Sequence, residues 1–291
     1  MLGNSLCQFY NNDYEVYAFH RDKKCFATCS EEYSLDLTDS MQLQSNLNQI
    51  KPDLVIHCAG LINLDQCEQN PEIAYKGNVE VSDNVAKACN KETKLVYVST
   101  DQVYGKTVDH SEGSVDLQPV NQYGKTKYLG EQKAAEHCPD CIIIRTNIFG
   151  WNVKPGKISS AEWIYNSLEN GRVITLFDDY FFSPIYTKCL GEIIIQLVEM
   201  NFSGIINIGS PIPCSKYEFG KQLAKEFKFD QSYINRGSIY DHSFKASRAS
   251  DLNIKTKKAI NLKIKIPDYK ASINKFRINQ HLIVNQKDLA D

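Results

Sequence analysis

"TKLVYVST", residues 93–100, runs through Leu95, Val96, Tyr97 and Val98 with no charged residue between Lys94 and Asp101. A strand with one wet face would alternate apolar and polar residues, so this one is read as buried on both faces. Such strands belong to parallel sheets covered by helices on either side. Working outward, "PDLVIHCAG" (52–60) is a strand of the same kind, and "DCIIIRTNIFG" (140–150), "GIINIGS" (204–210) and "YEVYAFH" (14–20) repeat it. Helical patterns fill the gaps. "MQLQSNLNQI" (41–50) places Met41, Leu43, Leu47 and Ile50 on an apolar stripe, with Asp39 or Ser40 as cap. "PEIAYKGNVEVSDNVAKACN" (71–90) opens with Pro in a first-turn position and spans about five turns. "NQYGKTKYLGEQKAAEHCP" (121–139) starts after Pro119 with Asn121 as cap and stops before Pro139. The alternation predicts an α/β, doubly wound parallel sheet over residues 1–150. Beyond 150 it loosens, which predicts a smaller lobe over 151–291, interleaved with the end of the sheet.

Composition removes several classes of function. Formal net charge is −2, so no overall field draws the chain to nucleic acid or to an anionic membrane. The longest apolar runs, "CIIIRT" and "LGEIIIQLVEM", fall short of the ~18 residues of a spanning helix. The chain carries ten cysteines but opens without a basic and then apolar signal stretch, so reduced thiols in a cytoplasmic protein are expected rather than a disulfide scaffold. "HCPDC" (His137, Cys138, Cys141) has metal-like spacing, yet no second pair supplies the remaining ligands of a zinc site, and no metal is expected.

Ligands of a doubly wound sheet sit beyond the carboxyl ends of its strands. Thr100 and Asp101 end one strand, and Ala59 and Gly60 end another. Tyr123 and Lys127, four apart on the helix that follows, share a face. A hydroxyl, a phenol and an ammonium therefore converge on one rim, a set suited to proton transfer coupled to hydride transfer. The ammonium is expected to lower the phenol's pKa and to reach a ribose hydroxyl. A second Tyr-x-x-x-Lys, Tyr217 and Lys221 in "SKYEFGK", lacks such a Ser/Thr partner. Solvent-exposed helix residues remain the bland reading of either pair.

The chain resembles the extended short-chain dehydrogenases/reductases, and within them the dTDP-4-dehydrorhamnose reductase family. The resemblance rests on eight stretches in order: "DLTD" (36–39), "HCAG" (57–60), "DQCEQNPEIAYKGN" (65–78), "VSTDQVYG" (98–105), "YGKTK" (123–127), "RTNIFG" (145–150), "FFSPIYT" (181–187) and "RASDLNIKTKK" (248–258). It implies a Rossmann-type domain for NAD(P)H and a C-terminal lobe for a nucleotide sugar. It makes Thr100, Tyr123 and Lys127 the catalytic trio. Asp36 and Leu37 would flank the adenine, while Ala59, Gly60 and Leu61 would pass under the cofactor's phosphates and ribose. Thr100, Asp101 and Ile148 would meet the sugar. Arg248 opens the "R-x-x-D/N" stretch of the sugar lobe, although proline is usual where Ala249 stands. Asn78 would brace the strands near the site. At His20 and Arg21, where NAD-selective relatives carry an acid, an arginine can pair with a 2′-phosphate, which favours NADPH over NADH. His57 is read as a hydrogen-bonded core histidine.

One departure is large. The family opens on a strand and a Gly-x-x-Gly-x-x-Gly loop, whereas "MLGNSLCQF" matches only the tail of that loop, with Leu2 and Gly3 at its third glycine. An N-terminally shortened chain is the expectation, with two strands left without a neighbour. The reaction implied is reduction of the C4 ketone of a nucleotide-linked 4-keto-6-deoxysugar, and a homodimer is the assembly considered for it. The alternatives are a nucleotide-sugar epimerase or dehydratase of the same fold, and a non-catalytic dinucleotide-binding subunit like the regulatory subunit of methionine adenosyltransferase.

Overall fold

The computed structural model describes residues 1–21, 29–152, 154 and 156–280. The N-terminal half runs α1 (Leu2–Tyr10), β1 (Tyr17–His20), β2 (Glu31–Ser34), α2 (Ser40–Ile50), β3 (Leu54–His57), α3 (Leu64–Gln69), α4 (Pro71–Tyr75), α5 (Val81–Ala88), β4 (Lys94–Val98), α6 (Gln122–His137) and β5 (Ile142–Phe149). It continues with α7 (Ser160–Glu169), β6 (Ile174–Phe177), β7 (Phe181–Phe182), β8 (Pro184–Tyr186), α8 (Thr187–Glu199), β9 (Gly204–Ile208), β10 (Cys214–Ser215), α9 (Lys216–Phe227), β11 (Ile234–Gly237), β12 (Asp251–Leu252), α10 (Lys257–Asn261) and α11 (Tyr269–Ile278). The lobe expected over 151–291 is thus described as far as residue 280.

The central sheet is parallel: β3 pairs β4, β4 pairs β5, and β5 pairs both β8 and β9. Successive side chains of a strand point to opposite faces, and here both faces are dry. Leu95 and Tyr97 of β4 and Ile143 of β5 pack with Leu43 and Leu47 of α2 and Val85 of α5. Val96, Val98, Ile142 and Ile144 turn the other way, against Leu6 of α1 and Leu190 and Ile194 of α8. Met41, assigned above to the apolar stripe of α2, is 84% exposed. It sits in the first turn, off the face that carries Leu43 and Leu47.

β1 and β2 form a parallel pair of their own, and among the described residues β1 pairs only with β2 and β3 only with β4. The two sheets are joined by packing instead, since Phe19, Tyr33 and Val55 lie against one core. The chain after 150 is interleaved with the sheet: residues 184–208 supply β8, α8 and β9 to it, while β6 pairs β11 and β7 lies between β10 and β12 in the lobe. No described helix is long and apolar enough to cross a membrane.

Candidate active site

The carboxyl ends of β3 and β4 face the start of α6. That start is fixed by Asn121, fully buried, whose Oδ1 accepts from Gly124 N at 2.9 Å as a helix cap. Its Nδ2 donates to Gln102 Oε1 and to Ser247 O, so one side chain ties the helix to the loop after β4 and to the lobe. Gly124 permits the approach, because a Cβ there would lie 2.5 Å from Gln102 O. α6 thereby brings Tyr123 and Lys127 to Thr100.

Thr100 Oγ1 donates to Asp101 Oδ1 at 3.1 Å, accepts from Gln102 N, and also faces the Tyr123 phenol. Burial pushes the Tyr123 phenol well above its ordinary value, and the Thr100 contact opposes this only in part. Lys127 is buried, with Nζ 2.8 Å from Val98 O and 4.2 Å from the centre of the Tyr97 ring. Desolvation holds its ammonium down to about 8, against the pull of Glu131. The expected lowering of the Tyr123 pKa by Lys127 is therefore corrected. The ammonium rests on Val98 and Tyr97, and dehydration governs the phenol. Beneath Lys127, Glu131 accepts from Ser99 and is bridged to Arg145 at 2.7 Å, both side chains being 2% exposed.

Asp101, named above, gathers residues that the sequence did not single out. Asp101 is buried, bonded to Asn147 Nδ2, and pushed up to about 6 by desolvation. Lys216, at the first turn of α9, lies near it with Nζ 3.5 Å from the Phe182 ring centre. Tyr180 and Gln102 adjoin Asp101 as well. The signal was present but misdirected: Lys216 immediately precedes the Tyr217–Lys221 pair that was set aside. That pair is structural, with Lys221 Nζ bonded to Gln231 O and Arg236 stacked 4.6 Å over Tyr217.

The remaining expected residues stand on α1, past the ends of β1, β2 and β3, on β5 and after β11. Ala59 and Gly60 are exposed past β3, and Leu61 exchanges two hydrogen bonds with the Asn78 side chain. Asn78 stands in a π-turn (residues 76–80) between α4 and α5 and also donates to Thr126 Oγ1, so it links the loop to α6. Leu2 is buried and Gly3 half-buried in the first turn of α1. Asp36 accepts from Thr38 and lies within the fields of Arg21 and Lys76. Leu37 is half-buried beside it, and His20 is engaged by Glu32 at 3.2 Å. Ile148 is half-buried at the end of β5. Arg248 bonds Asp65 at 2.9 Å, while its Nη1 is buried without an acceptor among the described residues. A cavity of about 880 Å3 opens beside Arg248, lined also by Lys106, Ser183, Tyr240 and Lys257; none of Thr100, Tyr123 and Lys127 lines it. His57 is buried against Ser82 and held near 3 by burial, hence neutral. In "HCPDC", His137 turns to Asp83 and Cys138 to Ala86 O.

A parallel sheet wrapped on both faces, with Ser/Thr, Tyr and Lys at the strand ends, defines a Rossmann-type α/β oxidoreductase architecture. Residues 1–281 match the RmlD substrate binding domain family, and the chain belongs to it. Among curated relatives, it is 26% identical over 74% of its length to 73% of a probable low-salt glycan biosynthesis reductase of Haloferax volcanii. It is 25% identical over 80% of its length to 73% of methionine adenosyltransferase 2 subunit beta of Danio rerio. The crystal structure of dTDP-4-dehydrorhamnose reductase from Bacillus anthracis in complex with NADP superposes with a TM-score of 0.79 at 25% identity, covering 87% of this chain and 91% of that one.

Proposed function

We propose that this protein is an NAD(P)H-dependent reductase of the C4 ketone of a nucleotide-linked 4-keto-6-deoxysugar, acting in deoxysugar or surface-polysaccharide biosynthesis in the cytoplasm. One observation carries the reading: a half-buried Tyr123, kept protonated by desolvation, faces the Thr100 hydroxyl at the carboxyl end of β4, with Lys127 one helical turn away. A dinucleotide fits the crevice. The free amides in the first turn of α1, at Leu2 and Gly3, suit a pyrophosphate, since a helix N-terminus favours anions. Ala59, Gly60 and Leu61 leave the loop after β3 open to it. Asp36 and Leu37 would border the adenine, and His20 and Arg21 its ribose, where the Arg21 guanidinium favours a 2′-phosphate and so NADPH.

The reduced cofactor supplies the hydride. The Thr100 hydroxyl, turned from Asp101 to the substrate, holds the carbonyl oxygen by hydrogen bonding, and Tyr123 gives its proton to that oxygen as charge develops there. The raised phenol pKa keeps this acid loaded at neutral pH. Lys127 retains two N–H groups beyond the one on Val98 O, enough for a ribose hydroxyl and for the phenolate left behind. Asp101 and Ile148 border the sugar, and the orphaned Nη1 of Arg248 suits an oxygen of the diphosphate.

The test is NADPH oxidation against a panel of 4-keto-6-deoxy nucleotide sugars, with Tyr123→Phe alongside. Loss of a general acid costs about 10²–10⁴-fold in rate, with NADPH affinity kept. A Tyr123→Phe rate within a few-fold of the parent removes Tyr123 from this role. An epimerase or dehydratase would recycle its cofactor and show no net consumption, and a regulatory subunit would turn over no member of the panel.

A further inference from the structure

The cavity beside Arg248 is lined by more positive than negative side chains: Lys106, Arg248, Lys255 and Lys257, against Asp251 alone. An anionic ligand suits such a wall. The three lysines are exposed, but the Arg248 side chain is only 17% exposed and is held between partners. Its Nη2 donates to Asp65 Oδ1 at 2.9 Å, and its guanidinium carbon lies 4.9 Å from the centre of the Phe244 ring. Its Nη1 has no acceptor among the described residues. Asp65 belongs to the other half of the chain, in the first turn of α3. An acid at that position is ordinarily read as a complement to the helix dipole. Here the same Oδ1 also accepts from Ala246 N at 3.0 Å. Between those two lobe residues, Ser247 O accepts from Asn121, the cap of the helix that carries Tyr123. Three successive residues of the lobe are thus held by α3 and by the start of α6.

We propose that Asp65 is a positioning residue, which sets Arg248 in the cavity wall so that its guanidinium binds the diphosphate of the nucleotide sugar. The proposal rests on the reductase reading above and adds a residue, outside the lobe, that governs how tightly the substrate is held. Room for the ligand is given by the cavity, whose volume of about 880 Å3 is that of a small-molecule site. Orientation is given by the shared oxygen. A backbone N–H fixes the Asp65 carboxylate, and the carboxylate fixes one edge of a planar guanidinium, whose geometry decides how it meets a phosphate. Charge works the other way, since a carboxylate beside Arg248 weakens its pull on an anion. Asp65 is 37% exposed, however, and a screened pair of that kind changes binding about 5-fold or less. A hydrogen bond from a well-placed charged donor is worth roughly 10- to 100-fold. Placement therefore outweighs charge.

The experiment is calorimetric titration with thymidine diphosphate, uridine diphosphate and NADPH of the parent, Asp65→Ala, Asp65→Asn, Arg248→Met and the Asp65→Ala, Arg248→Met double variant. Asp65→Ala is expected to weaken nucleoside diphosphate binding roughly 10- to 100-fold and to leave NADPH affinity unchanged, which also shows that the variant is folded. Asp65→Asn keeps an oxygen for both donors and is expected to lose less. Because both residues act through one guanidinium, Asp65→Ala should cost nothing further once Arg248→Met is in place. In turnover, the loss should fall on KM for the keto-sugar nucleotide, with kcat within a few-fold. Unchanged or tighter diphosphate binding by Asp65→Ala overturns the proposal. So does a fully additive double variant, an equal loss of NADPH affinity, or a parent that binds neither diphosphate. None of these outcomes bears on reduction of a keto sugar by the parent. A parent that binds the diphosphates through Asp65 and Arg248 yet reduces no keto sugar removes the reductase reading alone.

Discussion

Lys127 donates one N–H to Val98 O and rests against Tyr97, a position that fixes its ammonium while leaving it dry. Its folded pKa of about 8 lies below the ordinary 10.5, so the fold disfavours the charged form. The ammonium is present below about pH 8 and lost as pH rises through it. Because kcat/KM reports the free enzyme, kcat/KM for NADPH is expected to fall above about pH 8. Lys216 titrates in the same range, so the assignment needs variants: the fall should persist in Lys216→Met and vanish, with much activity, in Lys127→Met. Gly60 gives a second residue-scale test. A Cβ there would lie 2.8 Å from Asn78 Oδ1, the atom that accepts from Leu61 N. Overpacking of this kind costs about 1–3 kcal/mol, so Gly60→Ala should lower the thermal midpoint by a few degrees and weaken NADPH binding.

Among the elements, α6 carries the most chemistry in the least space. Its N-cap Asn121 fixes the approach to Gln102, and Glu131, one turn beyond Lys127, anchors it to Arg145 on β5. Removing one partner of a buried ion pair leaves the other charge uncompensated, at about 3–5 kcal/mol. Glu131→Gln is therefore expected to shift the denaturation midpoint far more than Lys133→Gln, whose pairing with Glu136 is exposed. α6 was also the most legible element in the sequence: cap, spacing and the stop before Pro139 all act within a few residues. What escaped was non-local. Lys216 comes within the field of Asp101 across 115 positions of chain, from an α9 whose local pattern speaks only of a capping box. Met41 escaped for the opposite reason, since periodicity alone cannot say which edge of an apolar stripe stays wet.

On the scale of the whole molecule, the near-continuous apolar strands foretold the parallel sheet, to which the chain beyond residue 150 adds β8 and β9. The strand boundaries are tighter than the apolar runs. "YEVYAFH" contributes only Tyr17–His20, because backbone pairing with β2 begins there. The central claim is that a hydride passes to C4 of a keto sugar at the carboxyl end of β4. The direct measurement uses NADPH deuterated at C4 of the nicotinamide with a 4-keto-6-deoxy nucleotide sugar that the protein reduces. One cofactor oxidised per sugar, with deuterium at C4 of the new alcohol, is the expected result. Sugar conversion without net cofactor oxidation, or product with no deuterium at C4 from either face of the nicotinamide, would contradict it.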